Sequence, residues 1–276
     1  MVKWLIVKQR RTQHFYFNGL NRFAAMIKNK LLLAFLCCVV NLFAQKDEFV
    51  TDKNFNNAIL IAPAFTAQFP LLDMQKRFGY NSQLGGSLSY QLRKHWHIGL
   101  DGGFMFGTRV KEDSVLDRIS TSQGSFIGVQ NGTLVNVFLQ ERGFTVKAFF
   151  GKTIVFSKNP MNHSGLLFLT GIGFMQHKIL IDVRKETIPQ LNSTYRKGYD
   201  RLTNGPVISQ FIGGIYLKHK KWLSFYGGVQ ADIAFTQSRR PLNFDTQTSD
   251  TQKRIDLLIG IKFGWIIPVF KKKEMD

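Results

Sequence analysis

Five ionisable residues share the parity of glycines and amides in stretches whose alternate positions are large and apolar: Asp101, Lys147, Asp232, Asp256 and Lys262, with His97 and Gln230 in the same parity. Charges on an enclosed, poorly hydrated face must pair or be strongly destabilising, so these residues are expected to form an interior polar network. Such a network could carry protons or ions along a path. It could equally fill a narrow interior, and that is the reading favoured by size.

Nucleophilic and metal chemistry have less to work with. Of the six histidines, His14 lies in an N-terminal segment and His95, His163 and His219 fall in expected turns, leaving His97 and His177 within strands. No His-x-x-x-His or His-Glu pair shares a face, so no metal site is expected. Asn162-His163-Ser164 sets a base beside a hydroxyl, but adjacent residues of an extended chain point to opposite faces, which keeps His163 from Ser164. Neither a phosphate-cradling glycine loop nor a nucleophile elbow is present. The reading is of a protein that is not an enzyme and needs no cofactor.

A different chemistry is offered by the run Tyr195-Arg196-Lys197-Gly198-Tyr199-Asp200-Arg201-Leu202. Aromatic rings, cations and an acid around a glycine are the composition of a contact surface, which makes Tyr195, Arg196, Tyr199, Asp200 and Arg201 the candidate binding residues. The competing reading is that Asp200 and Arg201 pair with each other and hold the loop to its support.

The elements that must position these groups are read most clearly in residues 254–270. One face carries Ile255, Leu257, Ile259, Ile261, Phe263, Trp265 and Ile267; the other carries Asp256, Leu258, Gly260, Lys262 and Gly264. Seven apolar positions ending near an aromatic, opposed by an acid, a base and glycines, describe a strand with one face in lipid. Upstream, residues 82–93 and 96–107 alternate in the same way around a short basic turn and form a hairpin. Further strands are expected at 57–68, 144–156, 166–182, 205–218 and 222–235. The parity of the first of these is ambiguous.

Eight strands result, joined by three short turns and four longer connections. The fold class is all-β, a transmembrane antiparallel up-and-down barrel, which becomes ten-stranded if the piece at 133–139 pairs into the wall. Eight strands enclose an interior that side chains can fill. Residues 107–143 are assigned to an extended external loop, because long loops gather on one side of such a barrel.

Organisation and compartment follow. Residues 26–44 (MIKNKLLLAFLCCVVNLFA) combine lysines, a short apolar core and a small-residue end, the pattern of a secretory signal peptide. Residues 1–25 lie upstream of that complete signal and are read as an extension of the gene model; residues 45–276 are the barrel. Cys37 and Cys38 both fall in the signal, so disulfide and thiolate chemistry is not expected in the mature chain. The net charge of +19 contains seven Lys/Arg from residues 1–44, leaving 30 bases against 18 acids, or +12. Many of those bases sit in turns, where lipid phosphates are the simpler partner, and nucleic acid is not expected.

The segment NLFAQ followed by Phe- and Gly-rich strands and a last strand closing on IKFGWIIPVF resembles the small outer-membrane β-barrel proteins of Bacteroidota, the group that includes PorT-like secretion-associated barrels. The resemblance implies residence in the cell outer membrane, contact with outer-membrane lipid, and envelope protein partners in a secretion or biogenesis complex. The terminal KKKEMD departs from barrels that end directly on an aromatic. A lipid-modifying enzyme and a small-solute pore are the alternative functions.

Overall fold

The computed structural model describes residues 58–121, 125–127, 134–156, 164–183, 188–217 and 224–269. Eight long strands form a closed antiparallel ring: β1 (Ile59–Leu72), β2 (Asn81–Gln91), β3 (Trp96–Gly107), β6 (Phe138–Val155), β7 (Gly165–Asp182), β8 (Thr203–Tyr216), β9 (Ser224–Ser238) and β10 (Lys253–Val269). Each pairs with its sequence neighbour, and β1 closes on β10 with Phe65 opposite Phe263. Closure satisfies every strand edge within the ring, the condition for a sheet to stand in hydrocarbon.

Alternation decides which atoms meet which medium. Along β10, Asp256, Leu258, Gly260, Lys262, Gly264 and Ile266 are buried while Ile255, Ile259, Ile261, Phe263 and Trp265 are exposed. The same division runs round the ring, where Phe104 (73%), Ile172 (68%) and Ile261 (61%) have their surface on the outside. A wall of exposed Ile, Leu, Phe and Val over buried Asp and Lys inverts the arrangement of a soluble domain. From Ile255 to Trp265 is about 33 Å of strand, or roughly 25 Å along the barrel axis at a tilt of about 40°, which matches an apolar band of that class. Trp265 and Trp96 stand near the short-turn end; Trp96 stacks on Phe150 at 4.6 Å and takes the Lys152 ammonium over its ring at 5.2 Å. Amphipathic rings belong at such an interface.

The first strand's parity resolves with Ile59, Ile61, Phe65 and Phe69 outward and Leu60, Ala62, Ala64, Thr66 and Gln68 inward. Residues 134–135 pair with 126–127 as a separate two-stranded ribbon, β4 (Phe126–Ile127) and β5 (Leu134–Val135), so the ring keeps eight strands. One boundary differs from expectation. The strand expected from Phe144 begins six residues earlier at Phe138, because Arg142 pairs opposite Lys178 and Gln140 opposite Leu180. With Glu141 buried and Gln140 and Arg142 facing out, the usual apolar alternation is reversed there, and the segment reads as loop.

At the long-loop end the chain folds back over the opening. A short helix, α1 (Asp73–Arg77), joins β1 to β2 and directs Met74 and Arg77 inward. Met74 and Phe78 pack with Val115, Leu116, Phe126, Ile188, Leu191 and Tyr199 from the connections and with Met105, Met175, Ile179 and Leu258 from the wall. A second apolar cluster of Leu60, Ala62, Leu167, Phe211, Ile215, Tyr226 and Ile266 fills the short-turn end. There the Tyr226 ring lies where a Cβ on Gly264 would be 2.2 Å from it, so only glycine fits beneath. The lumen is therefore apolar at both ends and polar between.

Replacing Ile261 by Arg tests this orientation. In lipid the change is expected to cost about 2–4 kcal/mol in reversible unfolding from bilayers, as for a cation on a barrel's lipid face near mid-membrane. A solvent-facing Ile261 would give a change within about 0.5 kcal/mol.

Candidate functional site

The polar middle of the lumen is built by strands that sequence alone cannot align. Asp101 on β3 stands directly opposite Lys147 on β6, and Asp232 on β9 opposite Ser209 on β8. The Lys147 ammonium reaches Asp101 at 3.5 Å and Asp232 at 3.1 Å, and Lys262 from β10 closes on Asp101 from the other side. Lys262, Asp101, Lys147 and Asp232 thus form one line of alternating charge with no net charge. Ser209 and Gln230 donate to the Asp232 carboxylate at 2.5 and 2.7 Å, supplying hydrogen bonds that Coulomb attraction alone would leave unmade. All four charged side chains are buried.

Asp256 stands apart from this line, with different partners. It accepts from Thr236 at 2.6 Å, meets His177 Nε2 at 3.0 Å, and lies 3.7 Å from the Arg77 guanidinium. Arg77 also donates to Thr203 at 3.1 Å. Burial holds the Arg77 guanidinium below its ordinary pKa, with the Asp256 carboxylate opposing that shift. Glu141, also buried, is held by Asn81 at 3.0 Å, and Gln83 links Gln68 to Thr145 at 3.1 and 2.6 Å. Arg77, Glu141 and His177 were not among the interior residues read from sequence. His177 shares the inward parity of Met175 and Ile179 and was legible on that ground; Arg77 enters from a helix, which no strand alternation signals.

Among the described residues the lumen holds small cavities. Two cavities of about 30 Å³ each adjoin Ser87, Phe149, Leu169 and Tyr226, one of them touching Asp101, Lys147 and Lys262. That is room for a water or two, not for a solute. Among the described residues no cluster of His, Cys, Asp or Glu could hold a metal ion. His97 lies 2.8 Å from Thr153 in the barrel wall, while His163 lies outside the described residues, as do His14 and His219.

The loop run is placed differently from an exposed contact surface. Tyr195 is exposed, but Tyr199 and Asp200 are buried. Tyr199 meets the Phe244 ring edge-on at 5.5 Å, and a Cβ on Gly198 would be 2.3 Å from that ring. Burial, and the Asp245 carboxylate nearby, hold the Tyr199 phenol above its ordinary pKa. Asp200 and Arg201 do not pair with each other. Asp200 takes two hydrogen bonds from Arg240, at 2.8 and 2.5 Å, while Arg201 reaches Asp245 at 2.6 Å and Glu112 at 3.1 Å. Arg196 donates to the Leu191 carbonyl within its own loop. Three connections, β3–β4, β7–β8 and β9–β10, are therefore tied together by ion pairs across the closed end.

A lumen crossed by a charge-balanced line, two apolar plugs and an apolar wall decide the setting. The chain is an eight-stranded transmembrane barrel of the outer-membrane type. Its location is the outer membrane, the membrane in which closed barrels with this wall stand. No family model and no curated protein matches the chain. Among solved structures, Ail of Yersinia pestis, in complex with the heparin analogue sucrose octasulfate, aligns at 10% identity over 76% of this chain and 99% of its own, with a TM-score of 0.34. Neisserial surface protein A aligns at 8% identity over 74% and 95%, with a TM-score of 0.35. The outer membrane protein OprG of Pseudomonas aeruginosa aligns at 12% over 78% and 97%, also with a TM-score of 0.35.

Lys147 is the centre of the charge line, so Lys147→Leu is expected to be more damaging than the loss of one pair. Two buried aspartates would then face a single lysine, at a cost of about 3–5 kcal/mol in equilibrium unfolding. Simultaneous replacement of Lys147 and Asp232 by leucine should recover at least half of that loss, since one lysine and one aspartate remain paired.

Proposed function

We propose that this protein is a non-enzymatic outer-membrane barrel that serves as a component of an envelope assembly, presenting its closed loop end to partner proteins. The observation that carries this reading is the ion-paired lid: Asp200–Arg240, Arg201–Asp245 and Arg201–Glu112 join three connections above the apolar cluster at that end of the lumen. A rigid, preorganised surface loses little conformational entropy when a partner binds, which suits a docking platform better than a gate. Outward from the lid lie Tyr195 and Tyr80, the latter covered by the Arg109 guanidinium at 4.5 Å, anchors of the kind that dominate interface energetics. The narrower expectation of a role like that of the PorT-like secretion-associated barrels of Bacteroidota is part of this proposal. It rests on the resemblance of residues 45–276 in style.

Extraction of the tagged full-length protein from outer membranes in mild detergent, followed by mass spectrometry, is expected to recover a defined set of envelope proteins. Arg240→Ala, which releases Asp200 and loosens the lid, is expected to reduce their recovery severalfold while leaving the barrel inserted. In planar bilayers the protein is expected to pass no steady current. Recovery as a partner-free monomer together with discrete conductance steps would replace this reading with that of a solute pore.

A further inference from the structure

The outer surface of the barrel changes character in one register step on one side of the ring. Phe144 on β6, Gln176 on β7, Asn204 on β8, Gln237 on β9 and Lys253 on β10 are successive cross-strand partners, forming a single row around five strands. The positions one step toward the membrane centre are Val146, Phe174, Pro206, Phe235 and Ile255, all exposed apolar residues. One step the other way, Arg142 stands directly opposite Lys178 on the outward face. Arg239 follows in the same tier, its main-chain nitrogen bonded to the Leu202 carbonyl and its guanidinium 2.5 Å from Asn204.

The Arg142–Lys178 pair is the informative feature. Like charges directly opposite on a sheet destabilise it. Here no carboxylate among the described residues forms an ion pair with either side chain. Arg142 donates only to the Glu141 carbonyl and the Gln140 amide oxygen. Both side chains are partly exposed, and they lie just above the apolar wall, where the acyl chains of a surrounding lipid end and its headgroup begins. An anion bridging them would turn the repulsion into attraction. A guanidinium and an ammonium carried by directly opposed residues, with the side-chain NH2 groups of Gln140 and Gln176 on the same outward face, match the tetrahedral oxygens of a phosphate ester.

We propose that Arg142 and Lys178 form a binding site for the phosphate of a phosphorylated outer-leaflet lipid, whose acyl chains lie against Phe144, Val146, Ile172 and Phe174. The site is on the outside of the barrel and is independent of the loop lid and of any protein partner. The inward Lys147 and Lys262 take no part.

The test uses full-length protein in nanodiscs of phosphatidylcholine doped with either diphosphorylated lipid A or its dephosphorylated analogue, with bound glycolipid counted by native mass spectrometry. The wild type is expected to retain the phosphorylated lipid preferentially. The Arg142→Gln/Lys178→Gln variant should retain it about tenfold less and the dephosphorylated analogue unchanged. In neutral detergent the same variant should melt no lower than the wild type, because a repulsion has been removed. Equal retention of both glycolipids by the wild type, or undiminished retention by the variant, overturns the proposal. A large fall in the variant's melting temperature does so as well, since it would make the two cations structural. Inorganic phosphate alone is expected not to displace the lipid at millimolar concentration; displacement would assign the site to a free anion and overturn the lipid reading.

Discussion

The line of charge from Lys262 through Asp101 and Lys147 to Asp232 is the constraint on which the rest of this barrel depends. Eight strands enclose too little volume for bulk water, so every ionised group pointing inward must be neutralised by another group pointing inward. The register of the whole ring has to bring those partners level. Asp101 meets Lys147 through the β3–β6 pairing and Lys262 only across the lumen. A one-residue slip of any strand would turn its charged residues into lipid and its apolar residues into the lumen, an error costly on both faces.

The apolar and polar layers follow from the same limitation. Leu60, Phe211, Tyr226 and Ile266 close one end, while α1 and the connections close the other around Met74, Phe78 and Leu191. Between them the charges lie in a region of low water content, where paired groups attract strongly and unpaired ones are penalised strongly. The lid extends this logic to the loops. Asp200–Arg240 and Arg201–Asp245 bring together residues about forty positions apart, so the long connections become one surface.

Most of the wall was legible in the sequence because a membrane strand declares itself every second residue. The row from Ile255 to Ile267 fixed the last strand's orientation, and the three short turns marked where strands fold back into hairpins. What escaped was where the alternation carries no apolar contrast. Residues 138–143 alternate an inward Glu141 with outward Gln140 and Arg142, so the start of β6 looked like loop. The buried state of Tyr199 and Asp200 was also out of reach, since composition cannot distinguish a tyrosine and an acid that face a partner from those that face Phe244 and Arg240. Asp256 shares the inward parity of Lys262 yet belongs with Arg77 and His177, because parity gives the face and only the ring's geometry gives the neighbour.

Nitroxide scanning along β8 in lipid bilayers, one site at a time from Val207 to Ile212, addresses the sealed, lipid-embedded barrel most directly. Relaxation by oxygen, which concentrates in hydrocarbon, is compared with relaxation by a water-soluble nickel chelate. The outward positions Ile208, Gln210 and Ile212 should be accessible to oxygen, and the inward positions Val207, Ser209 and Phe211 to neither agent. Strong relaxation of the inward positions by the nickel chelate would mean a water-filled lumen and would contradict this account, as would the absence of any two-residue period.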